Sequence, residues 1–453
     1  MTRIGHIPRV LCVVGWLALL ACARQPGPMR PVVLIVVDTL RADRLGAWGY
    51  TERPTSPHLD AWLSRARVYE HGFSTSPWTL PSMASLYTGR WTVNHGAGRL
   101  EQHPDAPTAT PLRPELPTLA ERFQAAGYAT GAIVTNTFLA PVFGVARGFS
   151  DYDFEAAGVT RSRRADEVVR RAFVWIDLHA DRPFLLFVHF FDPHMAYDAP
   201  PPFRGRFSKG LGKTLSEPVV DVGRLRAEAG SLPDADRRLV AAAYDEEVAF
   251  VDSQLGVLLD GLEQRGVLRN ALVVLTADHG EELFDHGGFE HGHALWQEIL
   301  HVPLAIWGPG VRAGRETSAV SLVDITPTLL DAAGLEPLPG CDGISLWPNL
   351  SLGDPLPPRP LYAGYVLYGV ERKAVIGWPE KLVWTPALDL WKRFDLASDP
   401  GEQRAGAVDA SPTSQGLQRT ALAHWKQAVD DHQASVRLDG DLRAKLEGLG
   451  YVE

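Results

Sequence analysis

The chain has 453 residues, a formal net charge of −10 and three cysteines. A length of this order supports one large domain with an appendage, since domains typically hold roughly 100–200 residues. The acidic balance argues against a nucleic-acid partner, because phosphate backbones attract basic surfaces. With so few cysteines, we expect a large hydrophobic core, and not a disulfide framework, to stabilise the fold.

The N-terminus has the pattern of a secretion signal. Basic residues precede an apolar run at 10–20, which is shorter than the roughly 20 residues of a membrane-spanning helix. The run ends in Leu-Leu-Ala-Cys at 19–22, which resembles a bacterial lipobox. We therefore predict a lipid on Cys22 and anchorage in the bacterial cell envelope. Alanine at position 23 favours the outer membrane, with the protein facing the periplasm or the cell surface. A plain signal peptide with an incidental cysteine is the alternative.

Three apolar runs indicate strands that are buried on both faces, and each run ends in polar side chains. The runs lie at 32–37, 184–191 and 272–276, and they lead to Asp38, to Asp192 and His194, and to Asp278 and His279. Continuous apolar runs are typical of parallel strands covered by helices on both sides. Ligands bind at the carboxyl ends of such strands, so these polar side chains mark a candidate site.

Helical patterns alternate with these strands, at 116–127, 161–179 and 234–265. The alternation predicts an α/β fold with a doubly wound, mostly parallel sheet. The loop-rich stretch at 200–234 is expected to cover the site. A Pro-rich linker at 350–360 leads to a smaller unit, for which we predict antiparallel strands at 362–370, 373–376 and 381–384.

The predicted organisation has four parts. They are a lipoprotein-type signal peptide at 1–21, a Pro-rich tether at 22–31, a catalytic domain at 32–349, and a C-terminal subdomain at 350–453 with a small antiparallel sheet and a terminal helix. The tether would join the lipid to the folded body.

The segment at 79–90, Thr-Leu-Pro-Ser-Met-Ala-Ser-Leu-Tyr-Thr-Gly-Arg, has the layout of a nucleophile beside a buried helix. Pro81 suits a first helical turn, and Gly89 suits the helix end. We expect the helix to begin after Thr79, so that its hydroxyl lies beside unpaired N–H groups where anions bind. An ordinary loop–helix junction has the same local pattern and is the alternative reading of this segment.

The segment resembles the signature of the sulfatase family, in the alkaline phosphatase superfamily, where Cys-x-Pro-Ser-Arg precedes Ala-Ser-Leu-Leu-Thr-Gly. Further blocks fit the family in order, at 37–43, 244–248, 276–280 and 323–328. The resemblance implies an alkaline-phosphatase-like fold. Two positions depart from it: Thr79 replaces the cysteine that becomes formylglycine, and Met83 replaces the arginine that supports formylglycine. The three cysteines lie elsewhere in the chain, so we expect no formylglycine.

The resemblance also implies a metal site. One divalent cation would be ringed by Asp38, Thr79, Asp278 and His279. Carboxylates suit Ca²⁺, Mg²⁺ or Mn²⁺, and the imidazole favours Mn²⁺ or Zn²⁺. Thr39 stands where many sulfatases have a second aspartate, which makes calcium less suitable. Such a cation would make a threonine hydroxyl nucleophilic near neutral pH. A second metal is an open alternative, with Asp192, His194 and His291 as its ligands.

Four further residues are candidates for contacts with the substrate. His194 and His291 fall where the family places residues against the substrate, so we expect them to neutralise charge or to protonate the leaving oxygen. Asn136 and His293 are candidates for substrate binding. A loop-capping role for Asn136 and a structural role for His293 are the alternatives.

The predicted function is metal-dependent ester hydrolysis with Thr79 as the nucleophile. Compared with a sulfatase site, this site lacks formylglycine, its arginine and two lysines, so a singly charged ester is better compensated than a doubly charged one. We therefore expect phosphodiesters or phosphonate monoesters, as small molecules or linked to a glycan or lipid. Two alternatives stay open: sulfate ester hydrolysis, as the family implies, and a non-catalytic binding lipoprotein on the same fold, for which Met83 is the best support.

Overall fold

The computed structural model describes residues 29–98, 100–103, 106–158, 162–409, 411–427, 436 and 440–448. The predicted signal peptide, Cys22 and most of the tether lie outside these ranges. Within them, none of the helices combines the length and the apolar character that crossing a membrane requires.

Strands and helices alternate over most of the chain. The strands are β1 (Val32–Val37), β2 (Arg67–Phe73), β3 (Leu100–His103), β4 (Ala106–Ala109), β5 (Ala129–Val134), β6 (Asp151–Phe154), β7 (Phe184–Phe190), β8 (Leu272–Ala277), β9 (Glu282–Leu283), β10 (Phe289–Glu290), β11 (His301–Trp307), β12 (Gly314–Ser321), β13 (Leu361–Ala363), β14 (Lys373–Gly377), β15 (Glu380–Thr385) and β16 (Leu390–Asp395). The α-helices are α1 (Pro57–Leu63), α2 (Thr79–Thr88), α3 (Thr92–His95), α4 (Leu119–Ala125), α5 (Ala165–His179), α6 (Val222–Glu228), α7 (Asp234–Gln264), α8 (Gln297–Leu300), α9 (Ile325–Ala332), α10 (Trp347–Leu352), α11 (Pro412–Lys426) and α12 (Gly440–Gly448).

The central feature is an eight-stranded sheet with the order β12-β2-β11-β8-β1-β7-β5-β6. Most neighbouring strands are parallel, and β11 runs antiparallel to both β8 and β2. Every residue of β1, β7 and β8 is buried, as expected for strands covered by helices on both faces. The predicted doubly wound, mostly parallel sheet is confirmed.

The C-terminal sheet is separate and fully antiparallel, with the order β13-β14-β15-β16. It packs in a second hydrophobic cluster, which includes Phe73 and Trp91 of the large domain and which α11 closes through Ala421 and Trp425. The small antiparallel sheet of the C-terminal unit is therefore confirmed. The strand predicted at 362–370 is shorter, because 364–370 pairs with loops of the candidate site: the carbonyl of Tyr365 accepts from the Trp78 indole at 2.6 Å, and the Leu367 N–H donates to Gly292 at 2.6 Å.

Helix α2 begins one residue earlier than the sequence pattern suggested. Thr79 is its first residue, Trp78 precedes it in an extended conformation, and Gly89 ends it in the left-handed region at φ 66°. The expected end is confirmed, while the expected start after Thr79 is wrong. Pro81 is therefore the third helical residue, a position that tolerates proline because the first N–H groups of a helix have no intrahelical partner.

Candidate active site

Two neighbouring parallel strands deliver the carboxylates of the site. Val37 of β1 lies opposite Ala277 of β8 in the sheet register, so Asp38 and Asp278 leave the sheet side by side. Helix α2 places Thr79 at the same end, since the α2 helix follows β2 through a short connection. The order of the strands in the sheet therefore brings together residues that are about two hundred positions apart in the sequence.

Four side-chain atoms converge on one point. The Nε2 of His279 lies 3.4 Å from Thr79 Oγ1, 3.4 Å from Asp278 Oδ2 and 3.6 Å from Asp38 Oδ1. All four side chains are buried. The structure thus brings together the complete predicted ligand set, with one oxygen or nitrogen from each residue facing the others.

The unpaired atoms of this cluster fit a divalent cation. Asp38 Oδ1 and Asp278 Oδ2 are buried and accept no hydrogen bond from any described residue. Burial raises the pKa of both carboxyl groups, and the charge of Asp278 raises that of Asp38 further. Two buried carboxylates are costly without a cation to compensate them. The Nδ1 of His279 contacts the Gly280 carbonyl at 2.9 Å, which fixes the ring so that Nε2 can act as a ligand.

The Asp38–Thr39 turn is held in an unusual backbone conformation. Thr39 has a φ of 53°, in the left-handed region that β-branched residues rarely adopt. The Tyr244 hydroxyl donates to the Thr39 carbonyl at 2.7 Å and accepts from the Arg41 N–H at 3.1 Å. Helix α7 therefore supports the turn that aims Asp38 into the site, and such strain is often found at functional positions.

Asn136 contacts both the ligand cluster and the candidate nucleophile. Its Nδ2 donates to Asp38 Oδ2 at 2.6 Å and to Thr79 Oγ1 at 3.1 Å. Its Oδ1 accepts from the Phe138 N–H at 2.8 Å, so the loop-capping role that the sequence left open is also present. The side chain is positioned where a substrate oxygen on Thr79 would come within its reach.

A buried carboxylate orients His291. Glu281 Oε1 lies 2.8 Å from His291 Nδ1, and both side chains are almost completely buried. The His291 ring lies 4.4 Å from the His279 ring and 5.0 Å from the His194 ring, measured between centroids. Burial and these neighbouring imidazoles keep the pKa of His291 well below its usual value. His291 is therefore uncharged at neutral pH, and an anionic ester beside it would favour its protonated form.

His194 completes this group of rings. Its Nδ1 contacts the Met195 carbonyl at 2.8 Å, and the ring stacks on Phe191 at 4.4 Å. Burial lowers the pKa of His194 to about 3. Within the described residues, Asp192, His194 and His291 do not form a cluster close enough to share an ion. The second metal that the sequence left open therefore stays a prediction, and the second group of described residues close enough to hold an ion is Glu282, His286 and Glu298.

The segment at 200–234 contributes a cation that the sequence did not reveal. Arg226 of α6 forms a 2.5 Å hydrogen bond to the buried carboxylate of Glu290. Its guanidinium lies 5.3 Å from the centre of the Tyr368 ring. Glu290 has a φ of 76° and directly precedes His291. An ion pair thus joins α6 to the loop that carries His291.

His293, predicted to bind substrate, lies at the edge of this group. Its Nε2 contacts Glu282 Oε2 at 2.8 Å, and its ring stacks near Tyr368 at 5.7 Å. The side chain is partly exposed. In this structure the imidazole pairs with a carboxylate. A direct role of His293 in substrate binding stays a prediction.

The comparisons with known proteins agree with this geometry. The family model described as Sulfatase matches residues 30–335. Arylsulfatase K of Gallus gallus is 26% identical over 91% of this chain and 85% of its own length, and the Delta 4,5-hexuronate-2-O-sulfatase of Bacteroides thetaiotaomicron is 24% identical over 96% of each chain. The phosphonate monoester hydrolase of Agrobacterium radiobacter has the same fold, with a TM-score of 0.72 and 22% identity over 91% of this chain and 98% of that one.

Fold, site and relatives together define an α/β ester hydrolase with a buried cluster that could hold a metal ion. The chain belongs to the sulfatase family of the alkaline phosphatase superfamily. The enzymes of this family depend on a divalent metal, and the cluster of Asp38, Asp278 and His279 is the matching candidate in this chain.

Proposed function

We propose that the protein hydrolyses singly charged phosphorus esters, with Thr79 as the nucleophile. The observation that carries the proposal is the convergence of Thr79 Oγ1 with the two buried carboxylates and the His279 imidazole. Burying these polar groups costs folding stability, which indicates that the cluster serves a function. The Thr79 hydroxyl lies within the cluster and is positioned to take part in that function.

The proposed reaction uses residues of this chain at each step. Asp38, Asp278 and His279 would hold a divalent cation, which would lower the pKa of the Thr79 hydroxyl and offset the charge of the ester. The Thr79 hydroxyl passes its proton to the uncharged imidazole of His291 or His194 as its oxygen forms a bond to phosphorus. The bond to the departing alcohol breaks, and the protonated imidazole gives that proton to the alcohol. Water then cleaves the phosphothreonine and restores the hydroxyl. Asn136 donates a hydrogen bond to an oxygen of the bound ester, as its present contacts with Thr79 and Asp38 support.

One feature favours phosphorus over sulfur. Threonine has no geminal diol, so a sulfated Thr79 could not lose sulfate by elimination, whereas a phosphorylated one is open to in-line attack by water. The charge of the site bears on a different choice, between phosphorus esters: Arg226 is already paired with Glu290, so a doubly charged phosphate monoester would be poorly compensated. A phosphodiester or a phosphonate monoester, each with one negative charge, matches this limited compensation.

A panel of four nitrophenyl esters tests the proposal. We expect kcat/KM for a phosphodiester and a phosphonate monoester to exceed that for a phosphate monoester by at least about tenfold, which corresponds to roughly 1.4 kcal/mol of transition-state stabilisation. The sulfate ester should be cleaved more slowly than either. Faster cleavage of the sulfate ester than of all phosphorus esters would contradict the proposal.

Sulfate ester hydrolysis is the second candidate. It is favoured by the relatives named as sulfatases, among them those of Gallus gallus and Bacteroides thetaiotaomicron. The same panel decides between the two chemistries. A protein that cleaves none of the four esters in the presence of Mn²⁺, Zn²⁺, Mg²⁺ or Ca²⁺ would instead support a binding lipoprotein on this fold.

We also propose that the protein works in the bacterial cell envelope, anchored by a lipid on Cys22, on an anionic ester that is free or linked to a glycan or lipid. The support is the apolar run that ends in Leu-Leu-Ala-Cys. Cys22→Ser should move the protein from the membrane pellet to the soluble fraction, while Cys341→Ser, as the matched control, should leave it in the pellet. A Cys22→Ser protein that is pelleted with an uncleaved N-terminus would show that a signal anchor is present instead.

A further inference from the structure

A cleft of about 640 Å³ lies between the eight-stranded sheet and the C-terminal sheet. It is separated from the catalytic cluster by the segment at 280–283. Arg41 lines the cleft and donates to the Glu281 carbonyl at 3.0 Å, whereas the Glu281 carboxylate on the other side contacts His291. Clefts of this size between two structural units are common places for small ligands.

Aromatic rings form part of the cleft wall. Trp48 and Trp378 are both half-buried lining residues, and the Trp378 indole stacks on the His71 imidazole with ring centroids 3.5 Å apart. Burial lowers the pKa of His71 to about 4 and also lowers that of His301, which lines the cleft as well. These rings are therefore uncharged at neutral pH and offer flat apolar surfaces to a ligand.

The polar groups of the cleft are rich in acceptors. Four carboxylates line it against two guanidinium groups, and they belong to Asp43, Glu70, Asp285 and Glu298. The guanidinium of Arg41 is already shared by Asp43 and Asp285 at 2.7 Å each, and Arg315 pairs with Glu70 at 2.5 Å. A sulfate or phosphate group would meet excess negative charge here, so the cleft disfavours anions.

One buried acceptor in the wall has no donor. Gln297 lines the cleft and is 8% exposed, and its Oε1 is buried without a hydrogen bond from any described residue. The Gln297 N–H is held by Glu402 at 2.7 Å, and Glu402 is in turn paired with Lys381 at 2.8 Å. An unpaired buried amide oxygen is a free-energy cost to the folded protein. A ligand that brings an O–H or N–H donor would remove this cost.

We propose that the cleft binds an uncharged or amine-bearing sugar unit, as a second site distinct from the Thr79 centre. A pyranose ring has an apolar C–H face that suits the indoles of Trp48 and Trp378. Its rim of hydroxyl or amino groups supplies the donor that Gln297 Oε1 lacks, and an amino group would also be attracted by the excess of carboxylates. The cleft thus holds a part of a glycan that carries no ester, whichever ester Thr79 hydrolyses.

The test is a titration of the purified full-length protein with two trisaccharides, followed by saturation-transfer NMR and tryptophan fluorescence. Cellotriose provides hydroxyl groups alone, and a glucosamine trimer adds amines. We expect both to bind, and a sulfated cellotriose to bind more weakly. Gln297→Leu should weaken both by about fivefold, the equivalent of one hydrogen bond. Glu70→Gln should weaken the amine-bearing trimer more than cellotriose.

Three controls place the sugar in the cleft. Thr79→Ala, and Arg65→Ala on a surface far from the cleft, should bind both trisaccharides as the unchanged protein does. Trp48→Ala gives an independent variant if Gln297→Leu lowers the melting temperature. Binding that is absent for both trisaccharides would overturn the proposal. Binding that is lost in Thr79→Ala but kept in both Gln297→Leu and Trp48→Ala would also overturn it, because the sugar would then occupy the catalytic centre.

Discussion

Thr79→Ala is expected to lower kcat for the preferred phosphorus ester by at least about 1000-fold, because the change removes the attacking oxygen. Thr79→Ser should keep part of the activity, since serine supplies the same oxygen without the methyl group. The fold should be retained in both variants, because alanine and serine are both tolerated at the start of a helix. The measurement is ester hydrolysis under saturating substrate, with the melting temperature of each variant as the check on folding.

Thr88→Ala is the matched control for this prediction. Thr88 lies on the same helix and is equally buried, and its hydroxyl donates to the Ala84 carbonyl at 2.6 Å, outside the site. The variant should lose about 1 kcal/mol of stability and keep its kcat. Full activity in Thr79→Ala would disprove the assignment of the nucleophile. Mass spectrometry of the acid-quenched reaction should show a phosphate on the peptide that contains Thr79, and on no peptide of the alanine variant.

The second large effect concerns the cation. We expect the purified protein to contain one tightly bound divalent metal per chain, and Asp278→Asn or His279→Ala to lose it, since each removes a ligand from the cluster. A ligand present at 100 times its Kd stabilises a folded protein by about 2.7 kcal/mol, so chelation should lower the melting temperature of the unchanged protein by several degrees and that of the variants very little. Elemental analysis and thermal melting provide the two measurements.

Asp252→Asn provides the comparison for Asp278→Asn. Asp252 is also a buried aspartate, and it accepts from the His58 and Leu59 N–H groups far from the cluster. The variant should retain the metal and the response to chelation. A protein that purifies without metal, and gains neither stability nor activity from Mn²⁺, Zn²⁺, Mg²⁺ or Ca²⁺, would contradict the prediction and support a binding function.

The central residues of the site could be predicted because their proximity follows from strand order. Buried strands are visible as apolar runs, and the residues after them share one edge of a parallel sheet. Asp38, Asp278 and His279 could therefore be named from the sequence, and the structure brings them together with Thr79. Their role as ligands stays a prediction that metal analysis can decide.

The residues that the sequence did not reveal depend on how loops fold back. Glu281 reaches His291 only because the loop between them reverses through the β9–β10 pair. Arg226 belongs to a stretch without a clear periodic pattern, and its partner Glu290 is 64 residues away. A glutamate two residues after a candidate ligand histidine, or an arginine in a short helix, has no sequence signal that separates a functional role from an ordinary exposed one.

The wide spacing of the ligands along the chain has a consequence for how the protein folds. Thr79 and His279 are 200 residues apart, so the cluster exists only after β1, α2 and β8 have docked. A nascent chain that has made Asp38 and Thr79 cannot yet bind a cation with the native ligands, and contacts of such high contact order form slowly. The predicted metal affinity therefore depends on completion of the whole sheet, and retention of the expected ion would report on folding of the whole domain.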